Sequence, residues 1–283
     1  MIYDMEAPLP DGGLLSQGSL VETQTGDWYF ISFSWAYPAG RMPVLAPITW
    51  NSDGYPVLTT VDGTWGAEYP YPLEPVATPS WTGTDSFPGN SLGVAWEWNH
   101  NPDETKYTVN NGLSLYTATV TTDLYHARNT LTHRLHGLQP VATIAMDTSD
   151  MADGDRAGLA AFRDFSAYIG IWRSGSDYTV VNVQNMTQDA NNSWATISNG
   201  TAQASASISK GQIWLRGNLD ARANGTHLVS FSYSTDGSTF QPLGTEYSMN
   251  IDWEYFIGYR WGIFNFATAA LGGSASISSF TQV

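Results

Sequence analysis

The chain has 283 residues, 42% of them hydrophobic and 13% aromatic, enough apolar side chain for one large β domain or two smaller ones. Its 11 basic residues against 26 acidic ones give a formal net charge of -15, which repels nucleic acid and anionic membrane surfaces and suits a soluble protein with an uncharged ligand. With no cysteine, disulfides, thiolate metal sites and a cysteine nucleophile are excluded.

The first ten residues, MIYDMEAPLP, show neither the charged nor the apolar region of a signal peptide, and no later stretch is long enough to cross a bilayer as a helix. An exported parent protein is expected to carry its signal upstream of Met1. Four strands are expected over residues 14–23, 28–35, 42–50 and 55–58. They are joined by turns at Thr25-Gly26-Asp27, Pro38-Ala39-Gly40 and Asn51-Ser52-Asp53-Gly54, where glycine supplies the positive φ of a tight reversal. Four antiparallel strands in such a span have the size of one propeller blade, so residues 1–60 read as a single blade. Residues 61–84 hold four prolines and no alternation, and read as an extended linker.

From residue 85 to residue 283 about a dozen short strands return, among them LGVAWEW, LYHARNTLTHRL, RAGLAAF, AYIGIWR, YTVVNV, QIWLRG and YFIGYRWGIFNF. Asp153-Gly154, Ser174-Gly175-Ser176-Asp177 and Asp236-Gly237 supply hairpin turns between them. The expected fold is therefore all-β, a two-sheet jelly-roll sandwich preceded by a four-stranded blade.

Hydrolysis of a glycosidic bond needs two carboxylates, roughly 5 Å apart for retention or about 6.5–9.5 Å apart for inversion. In the blade, Asp4, Glu6, Asp11 and Asp27 fall in the lead-in or in a turn, and Glu22 is the one strand-borne candidate, without an evident partner. The strand period places His126, Arg128, Thr130, Thr132 and Arg134 on one face, solvent-facing or at a sheet edge, and His133 on the other, which argues against zinc. Asp147, Asp150, Asp153 and Asp155 could offer oxygens to Ca2+, although their spacing is not that of an EF-hand, and a solvated turn is the competing reading. No serine-hydrolase elbow, phosphate loop or dinucleotide fingerprint follows a strand. Aromatic rings able to stack on sugars are Tyr168, Trp172, Trp214, Trp253 and Trp261, with Trp172 and Trp214 the leading platforms; core packing is the alternative for each. Sequons begin at Asn185, Asn191, Asn199 and Asn224, as in loops of an extracellular glycoprotein.

QGSLVETQTGDWYF, GRMPVLAPITW and DGYPVL resemble the last propeller blade of glycoside hydrolase family 43, the β-xylosidases and α-L-arabinofuranosidases. LGVAWEWNHNPD, HARNTLTHR, DGDRAGLA, YIGIWR and FSYSTDGSTF resemble the C-terminal concanavalin-A-like sandwich of the same enzymes, also classed as carbohydrate-binding module family 91, with a fungal, secreted flavour. The resemblance implies a five-bladed propeller that inverts configuration with an Asp base, a Glu acid and a second Asp, all from blades upstream of this one. It implies that Gln17 stands where many members have a histidine near a central Ca2+ or water. It implies that Arg41 hydrogen-bonds the sugar in the −1 subsite, and that Phe256 belongs to a sandwich loop that closes over the active site. An ion pair with Glu22 or Asp27 is the competing reading for Arg41, and core packing for Phe256.

Three functions follow as expectations. The first is the C-terminal portion of a hemicellulose-active hydrolase that binds xylan or arabinoxylan and supports the active site without catalytic carboxylates of its own. The second is a shortened but active glycosidase that pairs Glu22 with a carboxylate of the sandwich. The third is a structural partner that completes another chain's propeller, the missing blades being its partner.

Overall fold

The structure, a computed structural model, describes residues 17–283. Asp4, Glu6, Asp11 and the start of the strand expected from Leu14 lie outside the described residues. The described chain forms two units, one of residues up to Pro79 with 222–225 and 251–258, the other of 80–221, 226–250 and 259–283.

In the first unit, β1 (Gly18–Glu22), β2 (Trp28–Trp35), β3 (Arg41–Trp50) and β4 (Pro56–Leu58) form an antiparallel sheet in sequential order. The reversals are local: Gly26 and Gly54 take φ of 85° and 78°, and the Asn51 side-chain oxygen accepts from the amides of Asp53 and Tyr55. Alternation puts Phe30, Val44, Ala46, Ile48 and Leu58 on one face, where Trp65 is buried against them and Trp28 and Tyr69 pack beside it. The proline-rich stretch is thus more than a connector. Its Tyr69 hydroxyl donates to the Thr59 carbonyl at 2.6 Å and accepts from the Gly66 amide at 2.7 Å, which fixes residues 65–69 as a cover for that face. On the opposite face Val21, Ile31, Leu45 and Val57 are exposed.

The second unit contains β5 (Gly83–Asp85), β6 (Trp96–Trp98), β7 (Tyr107–Val109), β8 (Leu113–Tyr116), β9 (Leu131–Arg134), β10 (Val141–Asp147), β11 (Asp155–Phe162) and β12 (Phe165–Ser174). It continues with β13 (Asp177–Asp189), β14 (Ala195–Ile208), β15 (Gln212–Leu219), β16 (Leu228–Ser234), β17 (Gln241–Pro242), β18 (Tyr247–Ser248), β19 (Arg260–Ala267) and β20 (Ser274–Gln282). One sheet runs β17-β16-β15-β10-β20-β8-β7, with β18 on β16 and β5 on β20; the other runs β14-β13-β12-β11-β19-β9-β6. Trp261 of β19 lies against Gly217 of β15, and the Asn265 side-chain amide donates to the Leu115 carbonyl at 2.7 Å, so odd-numbered residues of β19 face the other sheet. The jelly-roll sandwich expected from the strand spacing is the fold of this unit.

Even-numbered Phe264 and Phe266 therefore face outward, with Ala160, Phe162, Tyr168, Val181 and Val183, yet all are buried. Leu124, Tyr125 and Ala127 cover them. The Tyr125 hydroxyl donates to the carbonyls of Asp164 and Met186, at 2.8 and 3.0 Å, which fastens this strap across the sheet. Here the structure corrects the strand expected from Leu124 onward. Residues 124–126 are a 3-10 turn capped by the Asp123 carboxylate on the Tyr125 amide, and only 131–134 pair as a strand. His126 thus shares no strand face with Thr130 and Thr132, both of which are fully buried rather than solvent-facing. YFIGYRWGIFNF likewise is strand only from Arg260, its first residues forming part of the 251–258 loop.

Candidate functional site

Within the first unit the end of β2, the start of β3 and loop 251–258 build one aromatic cluster. Cross-strand pairing sets Trp35 opposite Arg41, and the strand period places Phe33 on the same face as Trp35. The Arg41 guanidinium carbon lies 4.6 Å from the Phe33 ring centre and 4.4 Å from that of Phe256. Trp253 stacks on Trp35 at 5.9 Å with 16° between the planes, and meets Phe256 edge-on at 6.0 Å. Phe256 adopts a left-handed φ of 67°, its amide donates to the Trp253 carbonyl at 2.9 Å, and its carbonyl accepts from the Tyr37 hydroxyl at 3.0 Å. Gly258 seats the loop: a Cβ there would fall 1.9 Å from the Ala39 carbonyl oxygen, so the two backbones approach as only glycine permits.

The ion pair weighed for Arg41 is not made. Among the described residues no carboxylate pairs with it; Asp27 instead accepts from the Thr25 hydroxyl at 2.7 Å, and Glu22 lies exposed at the end of β1. The buried Arg41 Nε has no hydrogen-bond partner. A guanidinium held between two π faces, with donors unspent, is suited to a ligand that presents oxygen acceptors on an apolar ring. Phe256 is 53% exposed and Trp253 44%, so neither is core. Trp35 and Phe33 were missed in the sequence; their i, i+2 spacing at a strand end was the available signal.

The remaining candidates are dispersed. Gln17 is exposed and its backbone carbonyl accepts from the Ser32 hydroxyl at 2.6 Å; among the described residues no His, Asp and Glu side chains gather into a group fit to hold Ca2+. Trp172 and Trp214 sit on the outer faces of different sheets and form no common platform. Arg156 lies over the Trp172 ring at 3.9 Å and the Trp172 indole donates to the Tyr168 hydroxyl, while Gly237 lies against the Trp214 indole. Tyr168 and Trp261 are buried. Three of the four aspartates of the acidic turn serve separate tasks: the Asp147 carboxylate accepts from the Ser149 amide, that of Asp153 from the Gly175 amide, and that of Asp155 from the Ala152 amide. Asp155 is fully buried instead of solvated, and burial raises its carboxyl to about 6. Asn185, Asn191, Asn199 and Asn224 are all exposed.

Residues 84–282 match the family described as the beta xylosidase C-terminal concanavalin A-like domain (GH43_C2). The chain belongs to that family. It is 28% identical over 243 residues to a putative beta-xylosidase of Xylanibacter ruminicola, across 83% of this chain and 42% of that protein. A GH43 glycoside hydrolase engineered at its active site to display both endo-xylanase and exo-arabinofuranosidase activity superposes with a TM-score of 0.94 at 39% identity, over 99% of this chain and 56% of that one. A bifunctional GH43-CE protein of Bacteroides eggerthii superposes with a TM-score of 0.82 at 29% identity, over 95% and 34% of the two chains. The chain thus spans about half the length of these relatives, or less. The family 43 resemblance read from the sequence motifs is the one these comparisons return.

Proposed function

We propose that the chain acts as the C-terminal portion of a hemicellulose-active family 43 glycoside hydrolase, binding xylan- or arabinoxylan-type sugar while the acid and base of hydrolysis come from residues outside it. The observation that carries this reading is the Arg41 guanidinium, clasped by Phe33 and Phe256 and free of any carboxylate among the described residues. A pentose ring offers hydroxyl acceptors to such a donor and C–H edges to Trp253 and Phe256. The names of the relatives, beta-xylosidase and arabinofuranosidase among them, support the substrate class. The exposed sequons support an extracellular glycoprotein. Neither Ca2+ nor any other cofactor enters the reading.

Hydrolysis is a separate matter, because a hydrogen bond made equally to substrate and transition state gives binding without rate. The Glu22 side chain makes no hydrogen bond or ion pair among the described residues and stands on an exposed edge strand, with no second carboxylate beside it to complete an acid/base pair. Calorimetric titration of the chain with xylo- and arabinoxylo-oligosaccharides is expected to give a Kd in the range of about 0.1–10 mM, weakened at least about tenfold by Arg41→Ala. Aryl xylosides and arabinosides are expected to stay intact. Unchanged binding by Arg41→Ala would remove the site, and turnover abolished by Glu22→Gln would favour the shortened enzyme.

A second reading has its own observation: Val21, Ile31, Leu45 and Val57 make an uncovered apolar face on the blade, as on a blade that packs against neighbours. As a structural partner the chain would complete a propeller. Sedimentation of the chain alone and mixed with catalytic blades of a family 43 enzyme distinguishes the two, since only the partner reading requires a stoichiometric complex.

A further inference from the structure

Trp81, in the second unit, is 51% exposed, although indole is among the most costly surfaces to leave in water. It is also held in place. Its ring stacks on His136 at 5.9 Å with 13° between the planes, and His136 meets His133 edge-on at 5.6 Å. His133 is wedged against Trp96 at 5.0 Å and Phe280 at 4.9 Å, both buried. The Trp96 indole donates to Asp85 at 2.8 Å, and the His133 Nδ1 to the Arg134 carbonyl at 2.9 Å. A ladder of rings therefore runs from the core to the surface and ends in one half-exposed indole stacked on imidazole. On either side of it in the chain, the exposed hydroxyls of Ser80 and Thr82 hydrogen-bond each other at 2.9 Å.

We propose that Trp81 is a surface platform for a xylopyranose unit of a hemicellulose chain, separate from the Arg41 cluster. The inference rests on the hemicellulose reading above and adds a second point of attachment. A pre-oriented ring binds a sugar face with little loss of its own conformational freedom, which a mobile surface tryptophan would forfeit on binding. Xylopyranose carries no hydroxymethyl group, so its ring presents C–H bonds flat to the indole and hydroxyls at the rim. Its neutrality matches a chain of net charge -15.

The test uses the full chain, insoluble arabinoxylan in a depletion assay, xylohexaose in an NMR titration, and thermal unfolding to confirm the fold of each variant. The expected result is that xylohexaose shifts the Trp81 indole signal, that Trp81→Ala weakens polymer retention at least about fivefold, and that Trp81→Tyr restores part of it. Arg41→Ala should leave polymer retention through Trp81 measurable. Polymer retention by Trp81→Ala equal to that of the parent, with Arg41→Ala impaired, would overturn the platform and keep the hemicellulose reading. An unmoved indole signal with no retention of the parent chain would overturn the platform, and oligosaccharide calorimetry on Arg41 would then decide the hemicellulose reading separately. A change of oligomeric state in Trp81→Ala in place of a change in retention would assign the indole to a protein contact and overturn it as well.

Discussion

Asp155 starts β11 with its carboxylate buried, one oxygen accepting from the Ala152 amide and the other without a partner. Burial disfavours the charged form and lifts the carboxyl from its ordinary value of 3.8 to about 6, against the smaller opposing pull of the Ala152 amide and Arg173. The folded chain thus holds this proton more tightly than the unfolded one. Its contribution to stability is complete below pH 4 or so and is lost as pH rises through about 6, with no further change above. Asp155→Asn keeps an acceptor for the Ala152 amide and removes the titration. Urea unfolding of the two chains between pH 4 and pH 7 is expected to show the parent losing stability relative to the variant across that window; parallel curves would mean that Asp155 ionises freely.

At the level of elements, segments that carry no regular structure close sheet faces that the strands alone leave open. Trp65 closes one face of the blade, and Trp65→Ala is expected to cost ~3–5 kcal/mol, the range for deleting a buried large aromatic. Loss of the blade's transition in denaturant, with the sandwich transition unmoved, would be the readout; an unchanged blade transition would show that the cover is dispensable. This is also where the sequence was least legible. Strand existence, turn positions and the two-sheet class could be read because alternation and Gly/Asn turn chemistry are local signals. The 65–69 cover and the 124–127 strap have no period of their own and acquire meaning only from the distant face that they meet. The same holds for the site: Arg41 and Phe256 were named through a family resemblance, since nothing local to either predicts that residues so far apart in the chain share a cation–π contact. The neighbours of Trp172 and Trp214, Arg156 and Gly237, are likewise set by tertiary packing that no local pattern carries.

For the molecule as a whole, the sandwich supplies both faces of its own core, whereas the blade draws on residues from other parts of the chain. A polypeptide of residues 80–283 in which 251–258 is replaced by a short glycine-serine connector is expected to unfold cooperatively, with a Tm within roughly 10 °C of the sandwich transition in the full chain. Broad, non-cooperative melting with dye binding would show that the sandwich leans on the removed residues. The assignment of 251–258 to the blade's unit has a bearing on ancestry as well. Genes that recombine at the proline-rich stretch would separate Arg41 from Trp253 and Phe256, leaving one daughter with an unclasped guanidinium and the other with bare aromatic rings. Blade and sandwich are therefore heritable only as a matched pair, and a shuffled descendant would have to reinvent the loop before it could use either half.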